Sequence, residues 1–360
     1  MTAKILEGDC LQTLKSLPDG SVQCVVTSPP YWGLRDYGIA GQLGMEPTPQ
    51  EFVINLVAVF REVRRVLRDD GTLWLNLGDS YAGSGGAGEW SKRKAGKQEY
   101  AGPRGNNVNR IVKSKRMERG SGRWGGGNLP AAGGLKPKDL VGIPWRVALA
   151  LQDDGWWLRS DIIWDKPNPM PESVSDRPTK SHEYIFLLAK SSNYYYDAFA
   201  IREPSTGQTG SAANFARDTK EQLIPGQSQK SHRLDRESTI DTGWKNKRSV
   251  WRIPSASYAE AHFATFPPRL IEPCILAGSK PGDTVLDPFN GSGTTGEVSI
   301  KYHRNYIGCE LNPDYVKLTH RRLANVQPVL PAISALTPAP VGQVTAQASF
   351  LSDDSAVTCR

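Results

Sequence analysis

Two short loops in this 360-residue sequence carry residue types that could do chemistry. The first is Thr27-Ser28-Pro29-Pro30-Tyr31-Trp32. Two consecutive prolines fix the backbone and remove two N–H donors, so the carbonyls of Ser28 and Pro29 stay free to accept hydrogen bonds from an amino group. The Ser28 hydroxyl is a further acceptor, and Tyr31 offers a flat face for stacking. An exocyclic aromatic amine is a poor nucleophile because its lone pair is delocalised into the ring. Acceptors set around its two N–H bonds favour pyramidal nitrogen and localise that pair. In-line attack on a sulfonium methyl group then depends mainly on orientation. Read alone, the same string is a proline-rich turn with Tyr31 packed in a core.

The second loop is Asp287-Pro288-Phe289-Asn290-Gly291-Ser292-Gly293-Thr294-Thr295, which follows a short apolar run at 284–287. Glycines let the chain turn tightly and approach a ligand, and the helix that starts here offers free N–H groups. About twenty residues on, Glu310 ends a second apolar run, where a carboxylate can accept ribose hydroxyls. The ligand class is a nucleoside. Gly291, Gly293 and Gly296 formally complete Gly-x-Gly-x-x-Gly, so on this loop alone a dinucleotide stays open. No Gly-Lys-Ser/Thr follows, which excludes a Walker phosphate loop.

Both loops need rigid elements behind them. Residues 21–26 read as a buried β-branched strand, entered from Pro18-Asp19-Gly20 and ended by Pro29-Pro30. Residues 50–68 place Phe52, Leu56, Val59, Phe60, Val63, Val66 and Leu67 at helical spacing. Asp69-Asp70-Gly71 is expected to stop that helix before a strand at 72–77. Strand, helix and strand in this order predict a parallel sheet covered by helices, with ligands beyond the carboxyl ends of the strands. The proline loop and Gly78-Asp79 both lie there. Further on, the patterns predict helices at 141–151 and 268–276 and after the glycine loop, with strands at 158–164, 184–188, 284–287 and 306–310.

Composition divides the chain. Ordered blocks at 1–82, 139–202 and 249–326 are separated by 83–138 and 203–248, with an Ala/Pro/Ser/Thr-rich, disordered tail expected at 327–360. The 83–138 stretch is glycine-dense and holds thirteen Lys/Arg against three Glu, a local excess larger than the +7 of the whole chain. It cannot bury enough apolar surface to fold alone. It reads as a loop that orders along a phosphate backbone, against the alternative of a solvated insertion. Five scattered cysteines, Cys10, Cys24, Cys274, Cys309 and Cys359, form no C-x-x-C pair, which argues against a zinc site or a disulfide framework. Charge arrives too early for a signal peptide, and no apolar run approaches a membrane span. The expected protein is soluble and cytoplasmic.

Taken together, the two loops resemble those of the β-group of amino-methylating DNA methyltransferases, the N4-cytosine/N6-adenine class. In that family the catalytic loop precedes the cofactor loop, as it does here. The resemblance covers most of 5–322. It implies a Rossmann-like α/β fold: a seven-stranded, mostly parallel sheet with one antiparallel strand, helices on both faces and permuted motif order. It implies S-adenosyl-L-methionine as cofactor, no metal, and double-stranded DNA whose target base is flipped and stacked on Tyr31. Ser28, Pro29, Pro30 and Tyr31 match the catalytic tetrad, with Thr27 before it on the cofactor side. Asp287, Pro288, Phe289, Gly291, Ser292, Gly293 and Thr294 match the cofactor loop, and Glu310 the ribose acid. Gly8-Asp9-Cys10 resembles the family's acidic turn beside the cofactor adenine. His262-Phe263-Ala264-Thr265-Phe266-Pro267 resembles the segment packing on the cofactor methionine, with Phe266 the candidate contact.

Ile163-Trp164-Asp165-Lys166-Pro167-Asn168, with Arg177 and His182-Glu183, resembles the stretch lining the target-base pocket. Trp32, Trp164, Lys166, Arg177 and His182 are therefore the substrate-binding candidates. By family position, 203–248 is the target-recognition region. Members with serine in the first tetrad position are mostly N4-cytosine enzymes and those with aspartate mostly N6-adenine enzymes, so Ser28 followed by Trp32 favours cytosine N4. Adenine N6 is the alternative. Ring methylation at C5 needs a thiolate from a Pro-Cys pair, and Pro273-Cys274 lies outside the matched motif. Glutamine methyltransferases carry Asn before Pro-Pro-Tyr, which Ser28 contradicts, and two intact loops argue against an idle DNA-binding protein. The family allows a cognate restriction endonuclease as partner, and either a monomer or a homodimer.

Overall fold

The computed structural model describes residues 1–34, 38–39, 41–82, 134–205, 243–255 and 266–329. Most of the basic stretch (83–133), most of the expected target-recognition region (206–242), residues 262–265 ahead of Phe266 and the tail from 330 onward lie outside the described residues. Met1–Pro328 forms one unit. Its elements begin with β1 (Ala3–Glu7), α1 (Cys10–Lys15), β2 (Val22–Thr27), α2 (Pro49–Val66), β3 (Leu67–Leu77), α3 (Ile143–Asp153), β4 (Trp157–Asp165) and β5 (His182–Ala189). They continue with a two-residue ribbon, β6 (Glu203–Pro204) and β7 (Trp244–Lys245), then β8 (Val250–Arg252), α4 (Pro268–Gly278), β9 (Thr284–Asp287), α5 (Thr294–Lys301), β10 (Asn305–Glu310) and α6 (Pro313–Ala324).

One sheet runs in the order β1-β10-β9-β2-β3-β5-β4-β8. All neighbouring pairs are parallel except the two made by β5. The single antiparallel strand agrees with the expected fold. The strand count does not: among the described residues it is eight, not seven, because the short β8 adds to the edge of β4. β2 is buried along its whole length, as a β-branched run covered on both faces should be.

α2 buries Phe52, Leu56, Val59, Phe60, Val63 and Val66, the predicted stripe. Thr48 caps it, accepting from the Glu51 N–H at 3.2 Å, and Pro49 opens it where no N–H is needed. Asp69-Asp70-Gly71 does not end the helix. The chain turns extended at Leu67, and the acidic turn sits inside β3, where the pairing jumps from Val22–Leu67 to Cys24–Thr72. Apolar side chains of α1, α2 and α3 fill one face of the sheet, and those of α4 and α5 the other. Among the described residues no helix is long and apolar enough to cross a membrane.

Two features of this topology position the site. From β9 the chain crosses through α5 to β10 on one side, while from β2 it crosses through α2 to β3 on the other. The carboxyl ends of β9 and β2 therefore flank a switch point, where the sheet opens a crevice. β5, running the opposite way, brings its first residues to the same rim: His182 pairs with Asp165, Glu183 with Trp164, and Tyr184 with Leu77.

Candidate active site

A cavity of about 300 Å³ opens at this crevice. Ser28, Pro29, Pro30 and Tyr31 line it together with Pro288, Phe289, Gly291, Ser292, Thr294 and Glu310. The two loops stand side by side because β2 and β9 are sheet partners. A buried carboxylate couples them. Asp287 accepts the Thr27 hydroxyl at 2.6 Å, the Thr295 hydroxyl at 2.7 Å and the Phe289 N–H at 3.0 Å. Burial pushes its pKa up to about 6, and the three donors pull the other way. Thr27 and Asp287, 0% and 1% exposed, sit beneath the cavity rather than on its wall.

Gly293 precedes α5 at φ 78°, a left-handed conformation that disfavours side chains, and a Cβ there would meet Thr319 at 2.7 Å. Gly293 thus shapes the loop from below. Gly296 lies within α5, where a Cβ would meet the Tyr306 ring at 2.6 Å; the third glycine serves helix–strand packing. Glu310 faces the cavity and accepts the Gly291 N–H at 2.7 Å and the Asn312 N–H at 2.8 Å, one on each oxygen. Each oxygen keeps a further lone pair for a hydroxyl. Burial pushes Glu310 up to about 7. Asp9 and Cys10 line the same cavity, with Phe266, Leu311 and Tyr315. Asp9 also caps α1, accepting from the Gln12 N–H at 3.0 Å. An acid for vicinal hydroxyls, with aromatic and aliphatic faces for a flat ring, fits an adenosyl group.

Beside Tyr31 the lining is polar. The Tyr31 phenol donates to Glu183 Oε2 at 2.8 Å and lies 3.1 Å from Asn76 Oδ1. Glu183 is ion-paired with Lys166, whose ammonium sits 4.1 Å above the Trp164 ring. Asn76, Trp164, Lys166 and Glu183 all line the cavity.

The whole arrangement matches a known family. The DNA methylase model, covering N6 and N4 methyltransferases, matches residues 22–321. The chain is 48% identical over 319 residues to the Type II methyltransferase M.XycI of Xanthomonas campestris pv. cyanopsidis, covering 89% of this chain and 87% of that protein. It is 44% identical to M.SmaI of Serratia marcescens, with 89% and 91% covered. The chain belongs to the N6/N4 DNA methylase family. Its fold is shared with the cytosine-N4-specific PvuII DNA methyltransferase, at a TM-score of 0.56 and 19% identity over 89% of this chain and 86% of that one. It is shared too with a Thermus thermophilus protein assigned as a DNA modification methylase and solved with S-adenosyl-L-methionine. There the TM-score is 0.51 and the identity 23%, over 90% of this chain and 95% of that one.

Three residues expected at the base pocket of the methylase lie elsewhere. Trp32 is 3% exposed within the core, its indole N–H donating to the Glu46 carbonyl at 2.9 Å. Arg177 stacks on the Tyr81 ring at 3.8 Å and donates to Glu172 at 2.8 Å, outside the cavity lining. His182 packs edge-on against Tyr184. Alternation along β5 sends His182 away from the cavity and Glu183 into it. Cys274, the residue that C5 chemistry would need, is buried in α4, where burial raises its thiol pKa well above the ordinary value.

Two further residues shape the site: Asn76, which the sequence does not single out, and Gly78, which it places only at the carboxyl end of a strand. A Cβ on Gly78 would meet the Tyr31 ring at 2.5 Å, so only the missing side chain leaves the ring its place. Gly78→Ala is expected to displace the ring and lower the methylation rate about 10²-fold, the cost of misplacing a reacting group by about 1 Å. Single-turnover assays check this, with unchanged S-adenosyl-L-methionine affinity as the control.

Proposed function

We propose that the methylase transfers a methyl group from S-adenosyl-L-methionine to cytosine N4 within a specific sequence of double-stranded DNA. One observation supports this above the rest: a single cavity carries the Ser28–Tyr31 wall and, with it, the Glu310 carboxylate and glycine loop. S-adenosyl-L-methionine supplies an electrophilic methyl group on positively charged sulfur. Glu310 would accept its ribose hydroxyls, the loop from Pro288 to Thr294 would hold it, and Phe266 and Phe289 would pack on it. Ser28 and Pro29 accept the two amine protons of the flipped base, and Tyr31 stacks on its ring. Trp164 and Lys166 border the base. The amine is read as cytosine N4 because Ser28 places a neutral hydroxyl where a carboxylate favours adenine.

The basic stretch at 83–138 contacts the DNA backbone in this reading, and 203–248 carries sequence recognition. Neutralising the Lys/Arg residues between Lys92 and Lys138 is expected to weaken DNA binding and flatten its salt dependence, by about one unit of slope per lost phosphate contact. An unchanged slope would make the stretch a solvated insertion. The setting we propose is the cytoplasm, with an endonuclease that cuts the same sequence. Expression in a host without DNA methylation, followed by mass analysis of the nucleosides, tests the reaction. N4-methylcytosine is expected; N6-methyladenine would overturn the amine assignment, and no methylated base would overturn the activity.

A further inference from the structure

Glu183 is a carboxylate in the cavity that the reaction above leaves without a task. Its Oε2 accepts the Tyr31 phenol at 2.8 Å, and Tyr31 Oη in turn accepts the Ser28 hydroxyl at 3.4 Å. We infer that Ser28, Tyr31 and Glu183 form a proton relay that turns the Ser28 oxygen into an acceptor for the target amine and delivers the amine's surplus proton to Glu183. This rests on the amino-methylation reading above.

The direction of the chain follows from what each group can donate. A carboxylate accepts only. Asn76 Oδ1, at 3.1 Å from Tyr31 Oη, has no proton either, because the Asn76 amide donates to the Tyr184 carbonyl at 3.0 Å and to Glu183 Oε2 at 3.3 Å. The single phenolic proton therefore points at these acceptors, which leaves a Tyr31 lone pair for the Ser28 proton. With its proton so committed, Ser28 Oγ turns lone pairs towards the cavity, where the amine sits. The opposite orientation would set O–H against N–H. Polarisation along such a chain strengthens each bond. The 3.4 Å separation is long, as catalytic hydrogen bonds often are before the reacting complex forms.

The proton count closes. The amine lone pair forms the N–C bond while the methyl carbon's bond to sulfur breaks, its electrons staying on sulfur. The nitrogen, now positive, passes one proton to Ser28 Oγ. Ser28's own proton moves to Tyr31 Oη, and Tyr31's to Glu183 Oε2. The positive charge on nitrogen and the negative charge on Glu183 vanish together. The Glu183 side chain is 17% exposed, so solvent can recover the proton afterwards. Charged groups around Glu183 come from several elements: Lys166 from beyond β4, Lys180 from the approach to β5, and Asp79 beyond β3, which acts on Lys180 as Glu183 does. The relay keeps a full negative charge two hydroxyls away from the amine, in a loop whose first residue is the neutral Ser28.

The test uses the full chain with Glu183→Gln, Glu183→Asp and Tyr31→Phe. Glu183→Gln is expected to slow single-turnover methylation about 10²- to 10³-fold, with S-adenosyl-L-methionine affinity unchanged. With S-adenosyl-L-methionine saturating at every pH, so that Glu310 does not limit the rate, the wild-type rate should fall towards acid with a one-proton slope, Glu183→Gln should lose that slope, and Glu183→Asp should recover part of both rate and slope. Infrared difference spectra over one turnover should show a protonated carboxyl band in the wild type that is missing in Glu183→Gln. A Glu183→Gln enzyme with wild-type rate, or one that is slow yet keeps the acid slope, overturns the relay. Should Glu183→Gln fail to fold, Tyr31→Phe breaks the same chain while keeping the ring, and a wild-type pH profile there overturns it equally. A wild type that methylates no DNA amine refutes the activity instead.

Discussion

Ser28→Ala and Tyr31→Ala are each expected to cut methyl transfer about 10³-fold while S-adenosyl-L-methionine binds within about twofold of wild type. Loss of the Ser28 hydroxyl removes one of the acceptors that hold the amine pyramidal. Loss of Tyr31 removes the stacking face, and it also leaves Glu183 Oε2 and Asn76 Oδ1 without the phenol they share. The cofactor contacts argued above belong to Glu310, the glycine loop and Phe266, so binding without DNA should hardly change. Rapid-quench methylation and isothermal titration separate the two effects. A variant that loses cofactor binding in step with activity would show that the loop supports the fold of the cavity rather than the chemistry. Full activity in both variants would remove the loop from catalysis altogether.

The contrast between Ser28 and Glu183 shows how far sequence could lead. Ser28-Pro29-Pro30-Tyr31 is contiguous, and its chemistry can be argued from proline geometry and free carbonyls alone. Glu183 lies 152 residues from its partner Tyr31, and only the reversal of β5 between β3 and β4 brings it to the rim. No local spacing encodes that reversal. The family resemblance places His182-Glu183 together at the base pocket, with His182 as the substrate-binding candidate. The strand's two-residue alternation decided otherwise.

Boundaries failed for similar reasons. Asp69-Asp70-Gly71 has the composition of a helix stop, but tertiary pairing draws Leu67 into β3 before the turn arrives. α6 carries a local start signal that the patterns above do not include: Asn312 caps it, accepting from the Asp314 N–H at 2.9 Å, and Pro313 opens it. By contrast β9, a short apolar strand running into a glycine loop, matches its expected bounds.

Glu310→Gln should weaken S-adenosyl-L-methionine binding about 10²-fold and, at the same time, remove a loss of stability that the free wild-type protein suffers as pH rises to neutral. The first effect follows from losing charge-assisted bonds to two ribose hydroxyls, worth about 1.5–3 kcal/mol each. The second follows from burial. Glu310 has its pKa raised from 4.5 to about 7 in the fold, so below pH 4.5 the group is protonated in both states and costs nothing. Between pH 4.5 and about 7 the unfolded chain ionises while the fold keeps the group protonated, so the penalty builds across that window and is nearly complete by about pH 7. The penalty approaches about 3 kcal/mol at alkaline pH, since each pKa unit is worth about 1.4 kcal/mol. Asp287, raised to about 6, acts in the same direction at lower pH.

Ribose hydroxyls donate to the ionised form, so cofactor binding near pH 7 should release a proton from Glu310 and weaken as pH falls. Titrations in buffers of different ionisation enthalpy measure that proton, and it should be absent in Glu310→Gln. Thermal unfolding of wild type and variant from about pH 5 to about pH 9 measures the rest: the wild type should lose stability relative to the variant as pH rises to about 7, and the difference should level off beyond it. Parallel curves would mean that the Gly291 and Asn312 N–H donors already compensate the charge. The cavity would then hold its acid without destabilising the fold.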